Sequence, residues 1–166
     1  NLEFNSYKEL RRWSVEHLDD FWQSIWDYFK IESSMPPTAV FGKRTMPGTQ
    51  WFPGSRINYA QHILRNEKPD VTALLYSSES SPLQELSWTE LAGNVRKLAT
   101  RLREMGVKPG DRVASYMTNI PEAVTAVLAT ASIGATWSSC SPDFGTHSVL
   151  DRLIQIEPKV LFCVDG

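Results

Sequence analysis

Few side chains in this sequence are placed to carry chemistry. Cys140 closes an apolar run just ahead of a helix start, where a thiolate could be stabilised and act as a nucleophile. The alternative, more common for a cysteine in such a run, is a small buried apolar residue. Asp143 follows in Ser141-Pro142-Asp143. It reads as a catalytic carboxylate or, as an Asp ahead of a helix more often is, as a cap. Lys43 and Arg44 stand side by side and could hold a phosphate, although two adjacent basic residues in a loop are more often simply solvated. His17, His62 and His147 are dispersed, with no carboxylates spaced to complete a metal site, and are read as surface or helix-flank residues. The nucleotide-binding patterns GxxxxGKS/T and GxGxxG are absent, as are HExxH and GxSxG.

Seventeen basic and nineteen acidic residues leave a net charge of -2, with no block of five like charges, so nothing recruits nucleic acid by charge. Cys140 and Cys163 are too few and too far apart for a disulfide framework or a CxxC site; a reducing compartment, the cytosol, is expected. The first residues lack the basic start and apolar run of a signal peptide. Residues 123–142 carry no charge, but Ala, Thr and Ser dominate them and Gly134 and Ser138-Ser139 interrupt them. A helix followed by a strand accounts for the stretch, and no membrane span is expected. At 166 residues and 42% hydrophobic composition the chain can bury a core of one ordinary domain, with a helical extension.

The elements that must position these side chains read as follows. Val15, Leu18, Phe21, Trp22, Ile25, Trp26 and Phe29 share one helical face over residues 14–30, with Ser14 as cap and an aromatic stripe that packs inward. Residues 31–56, broken by Pro36-Pro37, Pro47-Gly48 and Pro53-Gly54, read as an ordered arm anchored by Phe41, Trp51 and Phe52. A short helix follows at 57–66. Residues 71–76 read as a strand, 77–83 as a polar turn region and 85–88 as a short strand. Ser87-Trp88-Thr89-Glu90 is a capping box for a helix whose apolar face is Leu91, Val95, Leu98, Leu102 and Met105, closed by Gly106. Strands at 112–117, 135–140 and 159–164 then alternate with helices opened by Asn119-Ile120-Pro121-Glu122 and led by Ser141-Pro142-Asp143.

That alternation implies an α/β fold with a mainly parallel, three-layer sheet, preceded by a helical N-terminal extension. Ligands of such sheets lie beyond the carboxyl ends of the strands, here Thr118-Asn119, residues 141–145, and Asp165-Gly166. The expected division is 1–66 for the extension and 67–166 for the α/β part. Because the sequence starts at Asn1 and stops directly after a strand-like run, it is read as a piece of a longer protein.

The residues add a resemblance. Leu86-Ser87-Trp88-Thr89-Glu90-Leu91 with Gly106-Val107-Lys108-Pro109-Gly110-Asp111-Arg112-Val113 resembles the first core motif region of the adenylate-forming acyl-CoA synthetases. The stretch from Tyr116-Met117-Thr118-Asn119-Ile120-Pro121-Glu122 to Gly134-Ala135 resembles the second. Trp51-Phe52-Pro53-Gly54 with Ile57-Asn58-Tyr59-Ala60 is similar to the extension of the acetyl- and acetoacetyl-CoA synthetase branch. Asn58-Tyr59-Ala60 and Cys140-Ser141-Pro142-Asp143-Phe144-Gly145 look like its acetoacetate members.

The resemblance implies an AMP-binding fold and a ligase reaction in two steps. A carboxylate such as acetoacetate attacks the α-phosphate of ATP, and the thiol of CoA then displaces AMP from the acyl-adenylate, with Mg2+ assisting the first step. The motifs that hold the triphosphate in that family lie downstream of anything present here, so no catalytic residue is assigned within these residues and they are expected to be inactive alone. The family's CoA channel passes near one loop of this segment, which makes Ser141, Asp143, Phe144 and Gly145 the candidates to face pantetheine or the acyl group. A ligase for acetate or propionate, and a non-catalytic α/β interaction module, remain as alternatives.

Overall fold

Ser6 opens the first helix: its hydroxyl accepts from the Glu9 N–H at 3.3 Å, and the Glu9 carboxylate accepts from the Asn5 N–H at 2.9 Å. This is the start of α1, Tyr7–Glu16, in a computed structural model that describes residues 2–164. At His17 the backbone leaves helical geometry (φ −117°, ψ 62°) and its N–H closes on the Trp13 carbonyl at 2.8 Å; α2, Leu18–Tyr28, starts immediately after. The single helix expected from Ser14 is thus two helices jointed at His17, and Ser14 caps neither. Its hydroxyl donates to the Arg11 carbonyl inside α1.

Phe21, Trp22 and Trp26 of the aromatic stripe pack inward, in a relay of tilted and edge-on rings with centroids 4.5–5.9 Å apart, while Val15 and Phe29 at its ends stay exposed. The relay runs from Trp13 through Phe21 and Trp22 to Trp51 and Phe41, with Trp26 on Phe52 beside it. Residues 31–56 double back on themselves. Ser34 N–H reaches the Arg56 carbonyl, Thr38 N–H that of Pro53, Phe52 N–H that of Val40 and Gly42 N–H that of Gln50, all at 2.8–2.9 Å. The chain divides into two compact units, Asn1–Ile57 and Asn58–Gly166, of which this is the first.

The second unit begins with α3, Tyr59–Leu64, capped by Asn58. The Asn58 carboxamide accepts from Gln61 N–H at 3.1 Å and donates to the Ala131 carbonyl at 2.9 Å. β1 (Thr72–Ser78) and β2 (Ser81–Ser87) then form an antiparallel hairpin, so most of the expected polar turn at 77–83 is strand and only Glu79-Ser80 turns. The capping box at Ser87 and Glu90 is formed in both directions, at 3.2 and 3.0 Å, and launches α4, Trp88–Glu104. Gly106, at φ +81°, takes the left-handed position after its end.

Three strands, β3 (Arg112–Tyr116), β4 (Thr136–Cys140) and β5 (Val160–Cys163), form a parallel sheet in the order β4-β3-β5. They are joined by α5, Pro121–Ser132, and α6, Thr146–Ile156. Pro121 takes the first turn of α5 as expected, but the residue before it, Ile120, offers no side-chain cap. The core lies between α4, α5 and one face of the sheet. Leu91, Val95 and Leu102 of α4 meet Leu128 and Ala129 of α5 over Val113. Two short-range clamps pin the amino ends of the strands. Lys159 donates to the Asp111 carboxylate at 3.0 Å and to the Gly106 carbonyl, and Arg112 Nε donates to the Ile156 carbonyl at 2.7 Å. The Lys108 backbone N–H, and after it Lys159, hold the Asp111 carboxyl below the usual carboxylate range. The amino ends being closed in this way, the carboxyl ends are the open side of the sheet. No helix among the described residues is long and apolar enough to cross a membrane.

Candidate functional site

Side chains alternate across a strand, and the parallel register sets Ser115 beside Ser139 and Tyr116 beside Cys140. Ser115, Ser139 and Trp137 therefore share the sheet face that α5 covers, and Tyr116 and Cys140 share the other. Where β3 and β4 end, Thr118 and Asn119 run off to α5 and Ser141 runs off to α6, and the parting chains leave a groove of about 370 Å³. Its walls are Val124 and Val127 of α5, Trp137 and Ser139 of β4, and Thr118, Asn119, Cys140 and Ser141 at the strand ends. Neither lysine nor arginine is among the lining residues.

The loop after β4 is a tight turn with an acidic tip. Ser141 Oγ donates to Asp143 Oδ2 at 2.8 Å, and Phe144 N–H returns to the Ser141 carbonyl at 3.1 Å. Tyr116 reaches across from the end of β3 and donates its phenolic O–H to the Pro142 carbonyl at 3.1 Å, with the Phe144 carbonyl at 3.5 Å. The guanidinium of Arg152 lies 4.7 Å over the Phe144 ring, within cation–π range. Gly145 is the N-cap of α6, and a Cβ built on it would meet no atom within 4 Å.

Of the four residues proposed to face a ligand, Ser141 is half-buried and lines the groove, whereas Asp143, Phe144 and Gly145 are exposed on the adjoining turn. Asp143 is not the helix cap that its position favoured; Gly145 is, and the Asp143 carboxylate takes the Ser141 hydroxyl instead. Cys140 is 5% exposed and borders the groove at the end of β4, the buried small residue of the plainer reading. Asp165 and Gly166, the third strand end, lie outside the described residues. Lys43 and Arg44 are in the first unit, where Arg44 stands 6.0 Å over Phe41. His17 is the joint between α1 and α2, and His147 pairs with Asp151 on the outside of α6 at 3.1 Å. His62 is the exception to the surface reading: it is half-buried, and its Nδ1 has no partner among the described residues. The residues that sequence reasoning passed over are Tyr116, Trp137 and Ser139. The signal for the last two was the period-2 alternation of β4; for the Tyr116 clamp there was none.

The fit of the implied groups follows from these side chains. A triphosphate needs cations around it, and the groove offers hydroxyls, a carboxamide and apolar walls. Among the described residues no three His, Cys, Asp or Glu side chains gather into a metal cluster. A triphosphate in this groove would meet no side-chain cation. The adjoining loop presents acceptors, the Asp143 carboxylate and backbone carbonyls.

A parallel α/β sheet with its groove at the carboxyl strand ends is the setting in which the sequence profile of the AMP-binding enzyme family matches residues 62–166. The chain belongs to that family. Residues 7–63 match a second profile, the acetyl-coenzyme A synthetase N-terminus. The chain is 44% identical to an acetoacetyl-CoA synthetase of Macaca fascicularis over 99% of its own length and 25% of that protein. It is 40% identical to an acetoacetyl-coenzyme A synthetase of Rhizobium meliloti (strain 1021), over 98% of the chain and 25% of the relative. The solved acetoacetyl-CoA synthetase from Streptomyces lividans superposes with a TM-score of 0.94 at 52% identity, covering 98% of this chain and 26% of that one. The chain thus spans about a quarter of the length of the relatives it matches.

Proposed function

We propose that this segment is the N-terminal part of an ATP-dependent acid–thiol ligase that converts acetoacetate, ATP and CoA to acetoacetyl-CoA, AMP and diphosphate through an acyl-adenylate. The observation that carries this reading is the likeness to acetoacetyl-CoA synthetases along 98% of the chain, in sequence and in backbone. Within it we assign residues 1–66 to the extension and 67–166 to the first part of the AMP-binding domain. The unpaired thiols of Cys140 and Cys163 suit a reducing compartment, the cytosol.

The chemistry divides between this segment and the rest of such an enzyme. Adenylation builds negative charge on phosphate oxygens and needs cations, Mg2+ among them, which the groove does not supply; those groups belong to chain beyond this segment. What the segment offers is one wall for the second substrate. An acid carboxylate or a phosphate approaching Ser141 and Asp143 meets the Asp143 carboxylate, a repulsion that the Arg152 guanidinium over Phe144 offsets in part. The pantetheine arm of CoA is neutral and carries amide N–H donors, which the Asp143 carboxylate can accept. We therefore favour pantetheine over the acyl group as what this loop faces.

Acid-dependent ATP–pyrophosphate exchange tests the reading. In the full-length protein acetoacetate is expected to support exchange with a higher kcat/KM than acetate or propionate, and residues 1–166 alone are expected to show no turnover above blank. Preference for acetate or propionate would reassign the acid, and turnover by the segment alone would overturn the division of labour.

A further inference from the structure

We propose that Tyr116 is a positioning residue for the thiol-bearing substrate: its hydroxyl fixes the path of the 142–144 backbone and thereby aims the Ser141–Asp143 pair and Gly145. The inference rests on the reading that this loop faces pantetheine, and it adds to that reading the group that holds the loop in place.

Three observations converge on the phenol. Tyr116 is the last residue of β3 and lies beside Cys140, the last of β4, so its ring stands where the β4 chain leaves the sheet. Its O–H donates to the Pro142 carbonyl at 3.1 Å and lies 3.5 Å from that of Phe144, two carbonyls that no longer belong to a strand ladder. The loop has little else to fix its backbone. Pro142 has no N–H to give, and the internal bonds of the loop backbone are those of Phe144 N–H to the Ser141 carbonyl and of Asp143 N–H to Ser141 Oγ at 3.4 Å. With the phenol hydroxyl gone, the turn keeps its internal Ser141–Asp143 bonds and the Arg152–Phe144 stack, which order the turn itself but do not tie it to the sheet. A Phe at 116 fills the same volume, so the hydroxyl can be removed without opening a cavity.

The test compares Tyr116→Phe, Asp143→Asn and the double variant in the full-length ligase. It reads CoA-dependent thioester formation, acid-dependent pyrophosphate exchange and the melting temperature. Tyr116→Phe is expected to raise the KM for CoA about threefold to tenfold, the range of one lost neutral hydrogen bond. Exchange, which takes no CoA, should stay within about twofold. Asp143→Asn should raise the same KM, and the double variant should fall short of the product of the two effects, because both act through one loop. If Asp143→Asn raises the KM and Tyr116→Phe does not, the positioning role is wrong while the loop reading stands. If Asp143→Asn leaves the CoA kinetics unchanged, the loop reading fails and the positioning role with it. Equal losses in exchange and thioester formation with a lowered melting temperature would make Tyr116 merely structural and overturn the proposal.

Discussion

Gly134 and Gly145 show how one residue type can answer two different demands. Gly134 sits at φ +75°, and a Cβ there would press to 3.3 Å from the Pro109 ring, so its own fold requires it. Replacing it with Ala should cost about 1–2 kcal/mol from the left-handed backbone alone. Gly145 sits at φ −59°, and a Cβ would touch nothing within 4 Å. As the N-cap of α6 it holds a position that favours glycine over alanine, and close approach of a substrate would favour glycine as well. Gly145→Ala in the full-length protein is therefore expected to lower the melting temperature only slightly, through the poorer cap, and to raise the KM for CoA. A KM identical to that of the parent would remove Gly145 from the pantetheine wall. The sequence made the loop visible through its place after a strand, but not its internal bonding. Asp143 looked like a cap because Pro-Asp before a helix usually is one; the Ser141 hydroxyl, two residues back, competes for the same carboxylate, and the cap passes to Gly145.

Elements were legible where start and stop signals agree with the hydrophobic period. The Ser87–Glu90 box makes the point, and its loss can be measured. Ser87→Ala removes the acceptor for the Glu90 N–H and should cost about 1 kcal/mol. The Ser87 hydroxyl, and after it the Ser87 backbone N–H, hold the Glu90 carboxyl below its ordinary value. A lowered carboxylate pKa adds stability that is present above the unfolded value, near 4.3, and fades as pH falls through the folded one. The penalty of Ser87→Ala in urea denaturation should accordingly be full at neutral pH and shrink below about pH 4. A penalty that does not change between pH 7 and pH 3 would mean that the bond from the Ser87 hydroxyl to the Glu90 carboxylate contributes nothing. The same signature, Ser6-Tyr7-Lys8-Glu9, stands at the start of α1 and was passed over, because the charged residues behind it weaken the apolar period and the stronger stripe after Ser14 drew the helix to itself. The hairpin failed for a different reason. Ser77, Ser78 and Ser81 carry turn propensity, yet strand pairing tolerates them beside Tyr76 and Gln84, which bond across the strands at 2.7 Å.

At the scale of the molecule, the parallel sheet of the described residues has two edge strands, β4 and β5. In the described residues β5 pairs with β3 alone, so its outer edge presents unpaired backbone groups. Leu161 on that strand is 44% exposed, with Leu150 and Ile154 of the preceding α6 at 52% and 71%. An apolar, unpaired edge is a template for association. The relatives carry about four times this length of chain, enough to cover such an edge. Residues 1–166 on their own are therefore expected to self-associate with rising concentration in sedimentation velocity. Ile154→Glu combined with Leu161→Lys should return them to a monomer by placing charge on both apolar elements. In the full-length protein the same pair should do the opposite and lower the melting temperature, because there the two side chains are covered and a buried charge is costly. A segment that stays monomeric at every concentration would show that the edge is protected by the fold already present. A full-length protein indifferent to the double change would show that the rest of the chain packs elsewhere.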